Sequence, residues 1–171
     1  MVEINIKGLR ELNAALNQLP KNIAKNVLRG AIGKGLRLMK NAAIQNAPEM
    51  SAADAPKNKD GQPKNMPGTL KRAIAMRRLA RESSTEREYW ILYVRRGSRF
   101  LKDSGKKAGG VEHYGPRDAY YAKWVEFGTS KMSARSFMRP AFEQTKTQTY
   151  EAAVDYIRKR LPLEIEKLRK Q

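Results

Sequence analysis

A single histidine limits the chemistry open to this chain. His113 stands beside Tyr114, with Tyr120, Tyr121 and Lys123 a short way on. A metal-free ribonuclease surrounds a scissile phosphate with such groups, so the residue types permit that chemistry. Nothing near His113 supplies the serine or threonine and the acid of a nucleophile triad, and a loop histidine without special role is expected. Aspartates and glutamates are scattered, with no Asp-x-Asp or His-x-x-x-His spacing for a metal, and there is no cysteine. Gly30, Gly33 and Gly35 stand in the wrong order for a dinucleotide fingerprint, and no strand precedes them. They point instead to close helix packing or local flexibility. The expectation is a protein that is not an enzyme, with no cofactor and no metal.

Charge is the stronger signal. Thirty-five Lys+Arg against 17 Asp+Glu give a formal charge of +18 over 171 residues. Such an excess calls for a polyanion nearby, either nucleic acid or an acidic protein surface. Six cations, Arg95, Arg96, Arg99, Lys102, Lys106 and Lys107, fall in a glycine-punctuated stretch over 95–115 and are the candidate contacts to DNA or to an acidic partner. Helix-turn-helix spacing, zinc ligands and an RNP-type aromatic motif are all missing, so any DNA contact is expected to ignore sequence and weaken with salt. The longest strongly apolar run, Tyr89–Val94, is too short to span a bilayer, and no secretory signal is visible at the start. The expectation is a soluble protein with no membrane partner.

The elements that must position these residues read as α+β: a small antiparallel sheet flanked by a long N-terminal and a long C-terminal helix, with extended basic loops. One domain is expected over 1–171. Val2–Ile6 alternates as a strand, and Leu9, Leu12, Leu16 and Leu19 form a short amphipathic helix. After Pro20, residues Ile23, Val27, Ala31, Leu38 and Ala42 keep a helical period until Pro48. Residues 49–67 read as a flexible loop with nothing apolar to bury. Thr69 is placed to cap a basic helix over 69–81 carrying Leu70, Ile74 and Leu79. Glu88–Val94 is the best strand, apolar on both faces and therefore expected at the centre of the sheet. Tyr120–Phe127 fits either a strand or one or two helical turns. Pro140 opens the last long helix, whose apolar face is Phe142, Thr145, Thr149, Ala152, Ala153, Tyr156 and Ile157. Pro162 should break it, leaving a tail helix over 162–171.

The segment Ala119–Glu143 concentrates Trp124, Phe127, Phe137 and Phe142 beside Gly128 and Pro140, which makes it the expected site of core closure. Tyr121, Trp124, Glu126, Phe127, Gly128, Thr129, Arg135, Phe137, Pro140 and Phe142 are the candidate core and interface residues. Glu126 is expected to form an ion pair with Arg135 or Arg139. Gly128 should allow a sharp turn that lets Phe127 and Phe137 pack on opposite sides of it.

Read as a string, this segment resembles a known family. Tyr121-Ala122-Lys123-Trp124-Val125-Glu126-Phe127-Gly128-Thr129-Ser130, followed by Ala134-Arg135, Phe137 and Arg139-Pro140-Ala141-Phe142, is similar to the signature of head–tail-junction or tail-completion proteins of long-tailed phages. Ile6-Lys7-Gly8-Leu9-Arg10-Glu11-Leu12, Asn46-Ala47-Pro48 and Gly68-Thr69-Leu70-Lys71-Arg72-Ala73-Ile74 match in the same order. Ser136 stands where the family often has proline, and 49–67 is longer than its usual link. The resemblance implies a structural virion protein of the neck, made in the host cytoplasm and assembled as a homo-oligomeric ring, six-fold by preference, around the DNA channel. Its implied partners are a head-closure or connector protein, a tail terminator or tail tube protein, and the genomic DNA. A sequence-independent nucleic-acid-binding module is the alternative.

Overall fold

A computed structural model of the chain describes residues 20–49, 66–84, 87–96 and 118–170, together with Ala14 and Asn17. The expected strand at 2–6, the helix before Pro20 apart from those two residues, most of the loop 49–67, and His113 all lie outside the described residues. The element order is α1 (Lys21–Asn46), α2 (Thr69–Ala73), β1 (Ile74–Arg78), β2 (Trp90–Val94), α3 (Ala122–Phe127) and α4 (Met138–Arg169). The fold is α+β, with two long helices and one two-stranded antiparallel sheet. Arg95 N–H donates to the Ala73 carbonyl at one end of that sheet, and Leu79 N–H to the Tyr89 carbonyl at the other. These bonds set Ile74 opposite Val94 and Arg78 opposite Trp90.

The chain divides into two compact units, 1–39 with 76–91 and 144–171, and 40–75 with 92–143. In the first unit Val27 and Ala31 of α1 meet Ile157 and Leu161 of α4, with Ile23, Leu28, Tyr156, Ile165 and Leu168 packed around them. Small residues let these backbones approach closely. A Cβ on Gly30 would lie 2.5 Å from the Tyr156 hydroxyl, and one on Gly35 would strike the Thr149 carbonyl oxygen. Gly30 and Gly35 therefore serve packing, one of the two roles expected of the glycine cluster, whereas a Cβ on Gly33 would make only an ordinary contact. Glu88, its side chain 1% exposed, accepts two bonds from the Arg78 guanidinium at 2.6 and 2.9 Å and lies 3.9 Å from Arg29 of α1. Ser83 closes the turn between the strands: its hydroxyl donates to the Leu79 carbonyl at 2.8 Å and accepts the Tyr89 amide at 3.0 Å.

The second unit buries Ala43, Ala47, Leu70, Ala73, Ile74, Ala119, Ala122, Phe137 and Ala141, with Leu92, Val94, Tyr121 and Val125 packed against them. Alanine predominates, so the elements sit close and Phe137 and Ile74 are the largest fully buried side chains.

Four expectations are corrected. The basic helix over 69–81 ends at Ala73 and continues as β1, because the backbone of Ile74–Arg78 pairs with β2. Thr69 is the first helical residue rather than the cap; that position is Gly68, at φ 71°. Strand β2 is half-buried along its length and has one neighbour among the described residues, so it is not a covered central strand. Pro162 does not end α4, which runs through it to Arg169. Its ring removes one helical hydrogen bond, a cost of about 3 kcal/mol, while Leu161, Ile165 and Leu168 on the same helix stay in the first unit's core and offset it. Leu38, counted in the α1 stripe, is also 37% exposed.

Candidate functional site

Helix α3 settles the open choice for Tyr120–Phe127. Its buried pair Ala122 and Glu126 is spaced i, i+4 on one face, while Lys123, Trp124 and Phe127 point to solvent. Tyr120 makes edge-to-face ring contacts with Tyr121 at 5.6 Å and with Trp124 at 5.8 Å, and the Lys123 ammonium lies 5.9 Å from the Trp124 ring centroid. Burial pushes the Tyr121 phenol above its ordinary pKa, with Tyr120 adding to the effect; a hydrogen bond with the Leu70 backbone works the other way.

Gly128 stops the helix. Its N–H donates to the Trp124 carbonyl at 2.8 Å, and its backbone takes φ 75°, ψ −177°, a region open in practice to glycine alone. A Cβ there would stand 2.9 Å from the Ala134 nitrogen and the Met132 oxygen. The chain then forms a small loop. Thr129 and Met132 pair across it at 2.9 and 3.3 Å, Arg135 N–H returns to the Val125 carbonyl at 2.8 Å, and the Ser136 hydroxyl donates to the Glu126 carbonyl at 2.7 Å.

Glu126 then joins this loop to α4. Its carboxylate accepts the backbone N–H groups of Phe137 at 2.8 Å, Met138 at 3.0 Å and Arg139 at 3.1 Å. The first turn of α4 carries no acid of its own. A buried carboxylate thus satisfies donors that a helix start leaves open, and meets the positive end of the helix dipole. Pro140 costs nothing here, since its missing N–H falls among those unpaired positions. The expected ion pair of Glu126 with Arg135 or Arg139 is replaced by this cap. Both arginines keep exposed side chains.

Of the other candidates, Phe137 is 1% exposed and anchors the second unit, and Tyr121 is half-buried against it. Trp124, Phe127 and Phe142 do not close the core: they are 41%, 70% and 48% exposed. Gly128 does make the sharp turn, but with Phe137 alone packed inside. Thr129 is exposed at the loop bridge. Of the six basic candidates, Arg95 is half-buried at the end of β2 and Arg96 is exposed; Arg99, Lys102, Lys106 and Lys107 lie outside the described residues.

Together these residues shape an open groove of about 690 Å³ in the second unit. The buried Ala122, Glu126 and Phe137 line its depth, and exposed Arg96, Lys123, Phe127, Arg139 and Phe142 form its rim, with Tyr93 and Val94 on the strand side. Outside the family signature, the sequence singles out Lys123 only beside His113 and Arg139 only as an ion-pair partner of Glu126, and it does not single out Tyr93. The rim is aromatic and cationic, and the one acid among the described lining residues, Glu126, is committed to the amides at the start of α4. Among the described residues no group of His, Cys, Asp and Glu could hold a metal ion, and no helix is long and apolar enough to cross a membrane. Among the described residues the arrangement offers apolar area and positive charge. No family model, curated protein or solved structure matches the chain.

Proposed function

We propose that this chain is a structural subunit of a phage neck, joining or completing the tail as one member of a ring around the DNA channel. One observation carries the reading: the segment whose sequence resembles the tail-completion signature leaves Trp124, Phe127 and Phe142 uncovered in the single chain. Large exposed aromatic side chains, with Phe127 and Phe142 on a basic rim, are what a protein–protein interface is made of. A neck subunit needs such a surface for the companion rings it joins, beside the head-to-tail interface that repeats around a closed assembly. The charge of +18 suits a collar close to DNA or to acidic companion rings.

Electron microscopy and light scattering of the purified protein over a range of concentrations, alone and with tail tubes, test the reading. Closed rings or tube-end caps are expected, together with heads and tails that fail to join when the protein is withheld. A monomer at every concentration that leaves tubes bare, with particle joining unaffected by its removal, overturns it. Arg96→Ala with Arg99→Ala should spare folding and reduce joining.

A further inference from the structure

The groove in the second unit has a composition that selects its occupant. Its depth is closed by Phe137 and Ala122, its rim carries Phe127 and Phe142, and Arg96, Lys123 and Arg139 ring it with positive charge. We propose that it is a docking groove for an acidic segment of another protein chain, one that inserts an apolar anchor side chain between Phe127 and Phe142 and sets carboxylates against Arg96, Lys123 and Arg139. This rests on the reading of the chain as an assembly subunit and names the chemistry of the partner at that surface.

Charge complementarity decides among occupants. Glu126 is the one acid among the described residues lining the groove, and three backbone amides already hold its carboxylate. An incoming basic segment would meet three cations and no available carboxylate. A second copy of this chain carries a net +18 and brings the same sign, as does the chain's own stretch 97–117 with Arg99, Lys102, Lys106, Lys107 and Arg117 against Asp103 and Glu112. Duplex DNA would satisfy the cations with phosphates and leave the aromatic walls unused, since its bases are stacked away from the surface. An acidic segment with an aromatic or aliphatic anchor uses both features. The anchor desolvates the apolar walls, where binding energy concentrates, and the flanking carboxylates steer and orient it.

The test is fluorescence anisotropy with three labelled synthetic helical peptides of equal length. One pairs leucine and phenylalanine anchors with glutamates; the second replaces every glutamate by lysine; the third keeps the glutamates and replaces every anchor by serine. The first should bind, with affinity falling as salt rises. The second and third should bind at least about tenfold more weakly. Phe127→Ala, and separately Lys123→Glu combined with Arg139→Glu, should each weaken the first peptide by about tenfold or more. These side chains are exposed, so the variants' urea midpoints should match the parent and certify folding. Equal binding of the lysine peptide, binding insensitive to both variants, or displacement of the peptide by a short DNA duplex overturns the proposal. Rings that form normally while the acidic peptide fails to bind would sink the groove and leave the neck reading standing. Peptide binding by a protein that never assembles would do the reverse.

Discussion

The carboxylate of Glu126 accepts the backbone N–H of Phe137 at 2.8 Å, so the residue that immediately precedes α4 and fills the second core is held by an acid on the preceding helix. Two further amides, those of Met138 and Arg139, share the same carboxylate. The arrangement couples the position of the largest core side chain in that unit to the integrity of α3.

Removing the cap should therefore unseat more than a helix end. Glu126→Ala leaves three donors unanswered and should cost about 2–4 kcal/mol, above the usual single-cap loss because the site is buried and the bonds are charge-assisted. Glu126→Gln, which keeps an acceptor oxygen, should lose clearly less. Urea denaturation of both variants measures the difference; equal losses would show that acceptance by the carboxylate is not what matters.

Two phenylalanines in one segment should respond oppositely. Phe137→Ala empties a fully buried site and should cost about 3–5 kcal/mol. Phe127→Ala, 70% exposed in the single chain, should stay within about 0.5 kcal/mol. The same denaturation experiment separates them.

Glycines on α1 should differ in sign. At Gly33 a Cβ would meet the Trp90 ring at 3.6 Å, an ordinary contact, so Gly33→Ala should stabilise by up to about 1 kcal/mol through helix propensity. At Gly35 a Cβ would run into the Thr149 carbonyl, part of a helix backbone that cannot turn away, and Gly35→Ala should destabilise by about 1–3 kcal/mol. Thermal unfolding of the two variants gives the comparison.

Acid should weaken the first unit through Glu88. Its hydrogen bonds with Arg78 hold the carboxyl below the ordinary glutamate range against the opposing effect of burial, and the charges of Arg78, Arg29 and Lys25 add to this. A folded pKa below the unfolded one means the stabilisation is complete above the unfolded value and is lost as pH falls from there through the folded value. Stability measured from pH 6 downward should fall more steeply in the parent than in Glu88→Gln, which lacks that titration; parallel curves would contradict the assignment.

What can be read from the residues alone follows from which physical signals are local. The long period through Val27 and Ala31 marks α1, and the aromatic, β-branched run Trp90–Val94 marks β2 without reference to any partner. The segment Thr69–Arg78 misleads because Leu70, Ile74 and Leu79 fit a helical period, whereas pairing with β2, a non-local event, turns its second half into a strand. Pro162 misleads for a similar reason: the local penalty is real, but leucines and isoleucines on both sides of it belong to one core. Residue type locates the aromatic cluster near Gly128 without showing which rings turn inward. Glu126 is legible as an acid in an aromatic segment; its true partners, main-chain amides, carry no side-chain signature at all.

The small loop after Gly128 is tied at both feet, by Arg135 N–H on the Val125 carbonyl and by the Ser136 hydroxyl on the Glu126 carbonyl. Its crown, Ser130 and Lys131, is exposed and sits outside those ties. That makes the crown a natural graft point: foreign residues spliced there would ride on a fastened handle, letting a reporter label be carried into an assembly without loosening the body that bears it.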